Sequence, residues 1–255
     1  AELHSQLPAI ATAIEWEPQG SARVVYVMTD GGALPIAFSN TVRDLKERRL
    51  LHATVTCGQA FGGDFEAVNI YSALAVARAV AKADVIVVSQ GPGGAGTDTP
   101  LGFSGIDQGI ALNAASSLDG TAIAVVRLSF SEKRKRHMGI SHHTKTVLER
   151  VVLCPVLIPI PRLPEVERYY LKSAIETAAL PIQHEFVMVE ADRGLNALVE
   201  SESLDLRPAE DFAVGHIEGA RSLDIYGVSL NDSSEAPLNA FLAIFKTLFG
   251  ARGVT

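Results

Sequence analysis

The sequence predicts an α/β protein with a mostly parallel, doubly wound sheet of the Rossmann-like or flavodoxin-like type, built as a three-layer sandwich. Short apolar runs alternate with helix-length segments, and this alternation is typical of right-handed βαβ units. The run 84–89 (DVIVVS) is continuously apolar, as expected for a parallel strand that is covered on both faces. The composition agrees, because 47% of the 255 residues are hydrophobic and only 6% are aromatic, which favours β-branched strands under Ala- and Leu-rich helices.

The first half of the chain contains three predicted strands and two predicted helices. Strand 23–29 (RVVYVMT) is apolar and β-branched, and it ends at an Asp-Gly-Gly turn. Helix 37–50 has an apolar face and a charged end, and strand 53–57 (ATVTC) follows it. Helix 66–82 has apolar residues at positions 67, 70, 71, 74 and 75, close to the 3.6-residue period, and leads into strand 84–89.

The second half continues the same alternation. Helix 106–118 follows a long glycine-rich loop and precedes strand 121–128 (TAIAVVRL). A polar loop and a short helix at 145–151 lead into strand 155–160. Helix 164–179 begins with proline and acidic residues, which suit the amino terminus of a helix. Two further elements are predicted, a strand at 185–190 and an amphipathic helix at 236–249.

A single domain is predicted over 21–255, within which 200–235 form no recognisable pattern and are expected to be irregular. Residues 1–20 show little periodicity and contain two prolines, so they are predicted as a linker or as the end of a segment missing before Ala1. The absence of an initiating Met agrees with such a segment. The first residues lack a basic region followed by an apolar run, so no signal peptide is expected.

The charge and the cysteine content exclude several classes of protein. The net charge of −7 disfavours nucleic-acid binding, which requires basic residues at the phosphates. The two cysteines lie far apart without CxxC spacing, so neither a disulfide framework nor a zinc ribbon is indicated. No apolar run reaches the roughly 18 residues that a membrane span needs. We therefore expect a cytoplasmic protein that binds neither nucleic acid nor membrane, with a homo-oligomer possible.

Four polar, glycine-containing loops follow the predicted strands. In open parallel sheets, ligands bind beyond the carboxyl ends of the strands, where successive loops converge. The loops that meet this description are 30–36, 58–65, 90–105 and 128–144. Because topology and composition select the same segments, these loops form the candidate functional surface.

Loop 90–105 begins QGPGGAGTDTP and is the strongest single feature. Its glycines let the backbone approach a ligand closely, and consecutive N–H groups in such a turn can form an anion-binding nest. The spacing formally matches GxGxxG, but the next helix begins about ten residues too late for the dinucleotide fingerprint. A loop that only turns the chain is the alternative. The predicted anion-binding residues are Gly91, Gly93, Gly94, Gly96, Thr97, Thr99 and Arg127.

Loop 128–144 carries a basic run at 133–136 (KRKR) and two adjacent histidines, His142 and His143. Because this loop follows a strand, it would face loop 90–105 and could neutralise a phosphate or carboxylate; a solvated loop is the alternative. Adjacent side chains point to different sides of a helix or strand, so both histidines line one pocket only if the backbone bends there. We expect one of them to act as an acid, a base or a ligand, against the alternative of two packing histidines.

Asp30 and Asp64 each lie beside glycines in a loop that follows a strand. Asp30 directly follows a buried strand and is a candidate catalytic residue together with His142 and His143. Asp30, Asp64 and His142 form a possible site for a divalent metal, although their spacing does not require one. No motif identifies a cofactor.

Two residues that could be nucleophiles, Ser104 and Cys57, are interpreted as structural residues. The segment 102–105 (GFSG) approaches the nucleophile-elbow pattern, but its second glycine comes one place early. Ser104 is therefore interpreted mainly as the N-cap of the following helix. Cys57 ends its strand near the same surface and is expected to be buried and inert.

Four long motifs resemble one bacterial family, known only as domain of unknown function 3866. They are 28–47 (MTDGGALPIAFSNTVRDLKE), 56–74 (TCGQAFGGDFEAVNIYSAL), 91–109 (GPGGAGTDTPLGFSGIDQG) and 139–151 (GISHHTKTVLERV). The resemblance covers about 20–160 and is weaker beyond. It implies no activity, but its motifs fall on the four loops selected above.

The predicted function is that of an enzyme acting on a small anionic, phosphorylated or nucleotide-like substrate. Loop 90–105 would hold the anion, His142 or His143 would move protons, and Asp30 or Asp64 would orient or ligate. One alternative is a binding or sensing module that leaves its metabolite unchanged. Another is a structural or assembly protein whose loops pack against a partner subunit.

Overall fold

The computed structural model describes residues 1–15, 22–32, 34–130, 132–177, 180 and 184–189. The helices in these ranges are α1 (Leu7–Glu15), α2 (Asn40–Glu47), α3 (Ile70–Ala79), α4 (Asp107–Ser117), α5 (His142–Arg150) and α6 (Glu165–Thr177). The strands are β1 (Val24–Thr29), β2 (Ala53–Cys57), β3 (Phe65–Ala67), β4 (Val85–Gln90), β5 (Leu128–Ser129), β6 (Gly139–Ile140), β7 (Leu157–Pro161) and β8 (Glu185–Val189).

A parallel four-stranded sheet with the order β3-β2-β1-β4 forms the centre of the described structure. The chain moves outward from β1 to β2 and β3, and then places β4 on the other side of β1. This order makes the gap between the ends of β1 and β4 a topological switch point, where ligands bind in many α/β proteins. The architecture is a mixed α/β fold that is compatible with the predicted Rossmann-like class.

Alternate residues of β1 belong to two different apolar clusters. Tyr26 and Met28 pack with residues of α1 and α2, whereas Val25 and Val27 pack with residues of α3. Because successive side chains of a strand point to opposite faces, helices cover both faces of β1. All six residues of β1 are buried, as the continuous apolar run predicts.

Residues 4–15 are helical, and most side chains of 4–14 are buried, although the sequence predicts a linker over 1–20. Leu7, Ile10 and Ile14 are 0%, 2% and 3% exposed, and they belong to the same apolar cluster as β1. Pro8 lies in the first turn of α1, where its missing N–H would have no intrahelical acceptor. The linker prediction is therefore wrong for this segment, while 16–21 lie outside the described residues.

Capping residues set the start of two helices later than the sequence predicts. The predicted helix 66–82 divides into β3 and α3, because the Asn69 side chain accepts a hydrogen bond from the Ser72 N–H. The Ser72 hydroxyl accepts from the Asn69 N–H in return, which completes a capping box. Ser39 likewise caps α2 by accepting from the Val42 N–H, so the helix begins at Asn40 and not at 37.

The predicted strand 121–128 joins a ladder only at its end. Leu128 and Ser129 pair antiparallel with β6, whereas residues before them are extended and make one parallel bridge, from Ile123 to Leu157 of β7. The predicted strands at 155–160 and 185–190 are confirmed as β7 and β8, which pair in parallel. A third apolar cluster joins residues 122–128 to α5, β7 and α6.

Of the remaining predicted elements, one agrees with the structure and two lie outside the described residues. Helix α4 begins at Asp107, so a long connection separates it from β4 as predicted. The predicted irregular segment 200–235 and the predicted helix 236–249 lie outside the described residues. Within the described ranges, every helix is too short or too polar to cross a membrane.

Candidate functional site

Two groups of polar side chains adjoin the loop between β4 and α4. Residues 95–104 of this loop form a hairpin, closed by an antiparallel bridge between Gly96 and Phe103. We call 91–105 the glycine hairpin. Near its Gln90 end lies an acidic cluster, defined as Thr29, Asp30, Gln90 and Asp107. Against Phe103 lies a histidine cluster, defined as Arg127, His137, His142 and His143.

The acidic cluster occupies the switch point between β1 and β4. Thr29 ends β1 and donates a hydrogen bond from Oγ1 to Asp107 Oδ2 at 2.7 Å. Asp30, the next residue, accepts a hydrogen bond from the Gln59 N–H at 3.1 Å. Gln90 ends β4, is 4% exposed, and has a buried Oε1 that meets no donor within the described structure. The cluster therefore combines two carboxylates with an unsatisfied amide oxygen.

Burial and mutual repulsion shape the electrostatics of this cluster. Desolvation raises the pKa of Asp107, the Asp30 charge raises it further, and the Thr29 hydrogen bond opposes both effects. The Cys57 thiol nearby has its pKa raised to about 11 by desolvation and by both carboxylates. Cys57 is therefore protonated at neutral pH, which agrees with the predicted inert thiol and disfavours a nucleophilic role.

The histidine cluster gathers three imidazole rings in one small volume. The ring centroids of His142 and His143 are 4.1 Å apart, and His137 lies 4.8 Å from the first and 5.3 Å from the second. Phe103 of the glycine hairpin stacks on His143 at 4.2 Å with an interplanar angle of 11°. The sequence prediction that loop 128–144 faces the glycine-rich loop is thus confirmed by direct ring contact.

Ser141 explains how adjacent histidines come together. Its backbone is extended, with φ −53° and ψ 141°, and helix α5 begins at the next residue. The Ser141 hydroxyl accepts from the His143 N–H and also lies 2.9 Å from His137 Nδ1. The backbone bend that the sequence argument required therefore lies at Ser141, and this residue also positions His137.

All three histidines favour the neutral form. Desolvation is the main cause, and it lowers the pKa of His137 and His143 to about 4 and that of His142 in the same direction. Arg127 lowers the pKa of each histidine, and Arg136 lowers that of His142 and His143. His142 Nε2 is buried and has no hydrogen-bond partner among the described residues. At neutral pH the cluster therefore presents uncharged imidazoles beside fixed positive charges.

Two carboxylates partly offset the cations of this cluster. Glu132 forms ion pairs with Arg127 at 3.4 Å and with Arg134 at 2.7 Å. Glu2 accepts a hydrogen bond from the Thr144 hydroxyl, and desolvation raises the pKa of its carboxyl group. Since a carboxyl with a raised pKa is more readily neutral, Glu2 opposes the arginine charge less than an exposed carboxylate would.

The predicted anion-binding residues of the loop differ in whether their hydrogen-bond donors are already used within the protein. Gly93 and Gly94 are exposed, and their N–H groups donate to no acceptor within the described part of the chain. The hydroxyls of Thr97 and Thr99 lie 2.8 Å apart, and Thr97 also donates to the Gly102 carbonyl at 3.1 Å. The two threonines therefore close the tip of the hairpin, whereas the two glycines leave backbone donors at its base.

Asp64 lies away from the other predicted metal ligands. Its carboxylate accepts hydrogen bonds from the N–H and hydroxyl of Thr54 and pairs with Lys46. Thr54 is near the start of β2, whereas Asp30 follows the end of β1, so the two aspartates lie toward opposite ends of the sheet. Within the described residues no group of three or more His, Cys, Asp or Glu side chains could hold a metal. The structure does not bring Asp30, Asp64 and His142 together.

Ser104 closes the glycine hairpin and does not cap α4. Its hydroxyl accepts a hydrogen bond from the Ala95 N–H at 3.0 Å, and its own N–H donates to the Ala95 carbonyl. The residue before α4 is Ile106, which has no side-chain cap. The N-cap interpretation of Ser104 is therefore wrong, because a single 3-10 turn at Ser104–Ile106 precedes α4 and the Ser104 hydroxyl bonds back to Ala95.

Sequence reasoning assigned no role to Thr29, Gln90, Asp107 or His137 of these clusters, nor to Phe103, which contacts His143. Gln90 and Asp107 follow from the switch-point rule, since one ends a strand and the other begins the next helix. His137 lies five residues before the predicted pair, within the basic loop. Phe103 carried no signal of its own, because its ring contact depends on the fold of the hairpin.

Comparisons with known proteins give one result. The chain matches, over residues 1–208, the model of a family described as protein of unknown function (DUF3866). Neither the curated proteins nor the solved structures give a significant match. The matched region includes both clusters and the glycine hairpin, and it covers well over half of the sequence. The resemblance seen in the four motifs is thereby confirmed, and the chain belongs to the DUF3866 family.

Proposed function

We propose that this chain is an enzyme that acts on a small anionic substrate, of a phosphorylated or nucleotide-like kind, bound at the histidine cluster. One observation carries the proposal: three neutral imidazoles lie within 5.3 Å of one another beside fixed positive charge. An anion placed there would meet cationic and N–H donors in a partly desolvated site, where electrostatic attraction is strong. We also propose that the fold is a doubly wound, three-layer sandwich. The helices that cover both faces of β1 support this arrangement.

Within this proposal each group has a distinct task. Arg127 and the N–H groups of Gly93 and Gly94 bind the anion. His142 accepts a proton from the substrate through Nε2, because that atom is unpartnered and its ring favours the neutral form. Phe103 holds the ring of His143 in place by stacking. Asp30, whose carboxylate accepts from the Gln59 N–H at the end of β1, orients the remainder of the substrate.

The first experiment tests whether the protein binds a small anion. The purified protein is unfolded thermally in the presence of inorganic phosphate, sugar phosphates and nucleoside phosphates. A ligand at 100 times its Kd should stabilise the fold by about 2.7 kcal/mol. The variant Gly94→Val should lose this effect, because a Cβ at Gly94 would be in ordinary contact with its neighbours and so fill the space without strain. Asp98→Asn, at the exposed tip of the same hairpin, is the matched control and should retain the effect.

Turnover of the stabilising compound then separates an enzyme from a binding module. Conversion of the compound is followed by mass spectrometry for the wild type and for His142→Asn. We expect conversion by the wild type and binding without conversion by His142→Asn, since Asn keeps a polar side chain but is no base. Binding without conversion by the wild type would favour the metabolite-binding module. No stabilisation by any compound would favour the structural or assembly protein.

A further inference from the structure

The acidic cluster contains a buried acceptor that no donor reaches. Gln90 is 4% exposed, and its Oε1 has no hydrogen-bond partner within the described structure. An unsatisfied buried polar group destabilises a folded protein, because it loses its hydrogen bonds to water without replacing them. Such groups are rare in folded proteins, and one explanation for them is an ion that binds there in the functional protein.

The unsatisfied oxygen lies near a carboxylate oxygen. A Cβ on Gly31 would lie 2.9 Å from Gln90 Oε1 and 2.9 Å from Asp107 Oδ2. These two acceptors are therefore no more than twice that distance apart, and a side chain at Gly31 would crowd both. Asp30 directly precedes Gly31, and its charge acts on Asp107. The Asp30 carboxylate itself accepts from the Gln59 N–H and lies beside Gly58, so it adds negative charge near the two oxygens without lying at Gly31.

We propose that the acidic cluster binds one divalent cation of the Mg²⁺ type, with oxygen ligands from Asp107 and Gln90 and with the Asp30 charge nearby. Mg²⁺ takes one or two carboxylates and keeps several waters, which matches one carboxylate ligand and one amide oxygen. Zn²⁺ prefers nitrogen and sulfur ligands, and none of these three side chains supplies either. Thr29 holds Asp107 in orientation by its 2.7 Å hydrogen bond, as outer-shell partners commonly do for metal ligands.

The cation ligands are not the residues that would bind the anion. The histidine cluster contacts the glycine hairpin through Phe103, whereas Asp107 and Gln90 lie near Gly31 at the end of β1; the two sites adjoin at Gly94, where a Cβ would lie 3.7 Å from Gln90 Nε2. Mn²⁺ binding is measured without any anionic compound, so failure of the cation proposal is distinguishable from failure of the proposed function. The cation site also differs from the metal site that the sequence suggested, because Asp107 and Gln90 replace Asp64 and His142.

Binding of Mn²⁺, with Mg²⁺ as competitor, tests the proposal. Free Mn²⁺ is measured by electron paramagnetic resonance while the metal-free full chain is titrated. We expect one saturable site that Mg²⁺ displaces. Asp107→Asn should weaken binding by more than about tenfold, a loss that even outer-shell substitutions often reach. Asp98→Asn removes an exposed carboxylate from the glycine hairpin and should bind like the wild type.

Two further variants keep the test decisive. If Asp107→Asn does not fold, as judged by circular dichroism, Asp30→Asn serves in its place because Asp30 is exposed. Gln90→Glu offers the cation a second carboxylate ligand and should bind at least as tightly as the wild type. Loss of binding in Gln90→Glu would overturn the proposal, since it would show that the amide serves as a donor to Asp107. Absence of saturable Mn²⁺ binding, or equal weakening by Asp98→Asn, would overturn it as well.

Discussion

The three histidines beside Arg127 are close enough for the protonation of one to disfavour that of the others. His142 lowers the pKa of both His137 and His143. Desolvation acts in the same direction and is the larger cause. The cluster therefore stays neutral in a pH range in which exposed histidines become charged.

Stability should consequently fall in mildly acidic solution. The pKa of His143 is about 4 in the folded protein and about 6.5 in the unfolded chain, so the unfolded chain binds a proton first as the pH falls. The contribution of this residue is constant above about pH 6.5 and is lost progressively down to about pH 4. Urea unfolding at pH 7 and pH 5 should show a smaller difference for His143→Asn than for the wild type. An unchanged difference would mean that His143 is not desolvated in the fold.

At this scale the sequence predicted the residue types but not their partners. His142, His143 and Arg127 could be identified from their loop and from the end of a strand, and both histidines do lie in the cluster. Their contact with His137 depends on the Ser141 bend, which a pattern of residue types does not reveal. Asp64 looked equivalent to Asp30 in sequence, yet Thr54 and Lys46 hold it near the start of its strand.

The position of helix α5 depends on its close approach to α4. Gly109 lies in α4, and a Cβ there would lie 2.7 Å from Val151 Cγ1 and 3.0 Å from Val147 Cγ1. Both neighbours are β-branched, so they have little freedom to turn away. Because His142 and His143 form the first turn of α5, this helix contact also positions the histidine cluster.

Gly109→Ala should therefore destabilise the protein, although the same change in an exposed helix stabilises it by about 1 kcal/mol. Overpacking typically costs about 1–3 kcal/mol, and here it opposes that gain. We expect a lower free energy of unfolding in urea, with part of the loss recovered in the double variant Gly109→Ala/Val151→Ala. A more stable single variant would show that the two helices do not approach as described.

Element boundaries were predictable where capping signals were weighed and were misplaced where they were not. The 3.6-residue pattern extended the predicted helix back to 66, but Asn69 is a strong N-cap and β3 precedes it. The pattern for α4 gave nearly the observed bounds, because glycines and a proline precede the helix and delay its start.

On the scale of the whole molecule, the amino-terminal segment is part of the core. Helix α1 packs on the same face of β1 as α2, and its apolar residues are almost fully buried. Sequence reasoning missed this helix because Pro8 resembled a linker residue, although proline is tolerated in a first helical turn. The parallel sheet itself was predictable from continuous apolar runs, whereas the pairing order needed the structure.

The variant Ile10→Ala measures how much the packing of α1 contributes to the free energy of unfolding. Ile10 is 2% exposed, and truncating a buried Ile to Ala typically costs about 2–5 kcal/mol. Val68→Ala is the control, because Val68 is 85% exposed and its truncation should change the free energy of unfolding by no more than about 0.5 kcal/mol. Equal small effects in urea unfolding would mean that α1 is only loosely attached.

The central claim is that the histidine cluster binds an anion, and a nuclear magnetic resonance titration of the imidazoles tests it most directly. The pKa values of His137 and His143 are measured without ligand and with saturating phosphate or a stabilising phosphorylated compound. We predict values near 4 without ligand and an increase of about 1 unit or more with it, because an adjacent negative charge favours the protonated imidazole. Unchanged pKa values under conditions in which the compound stabilises the protein would place the anion elsewhere and contradict the account.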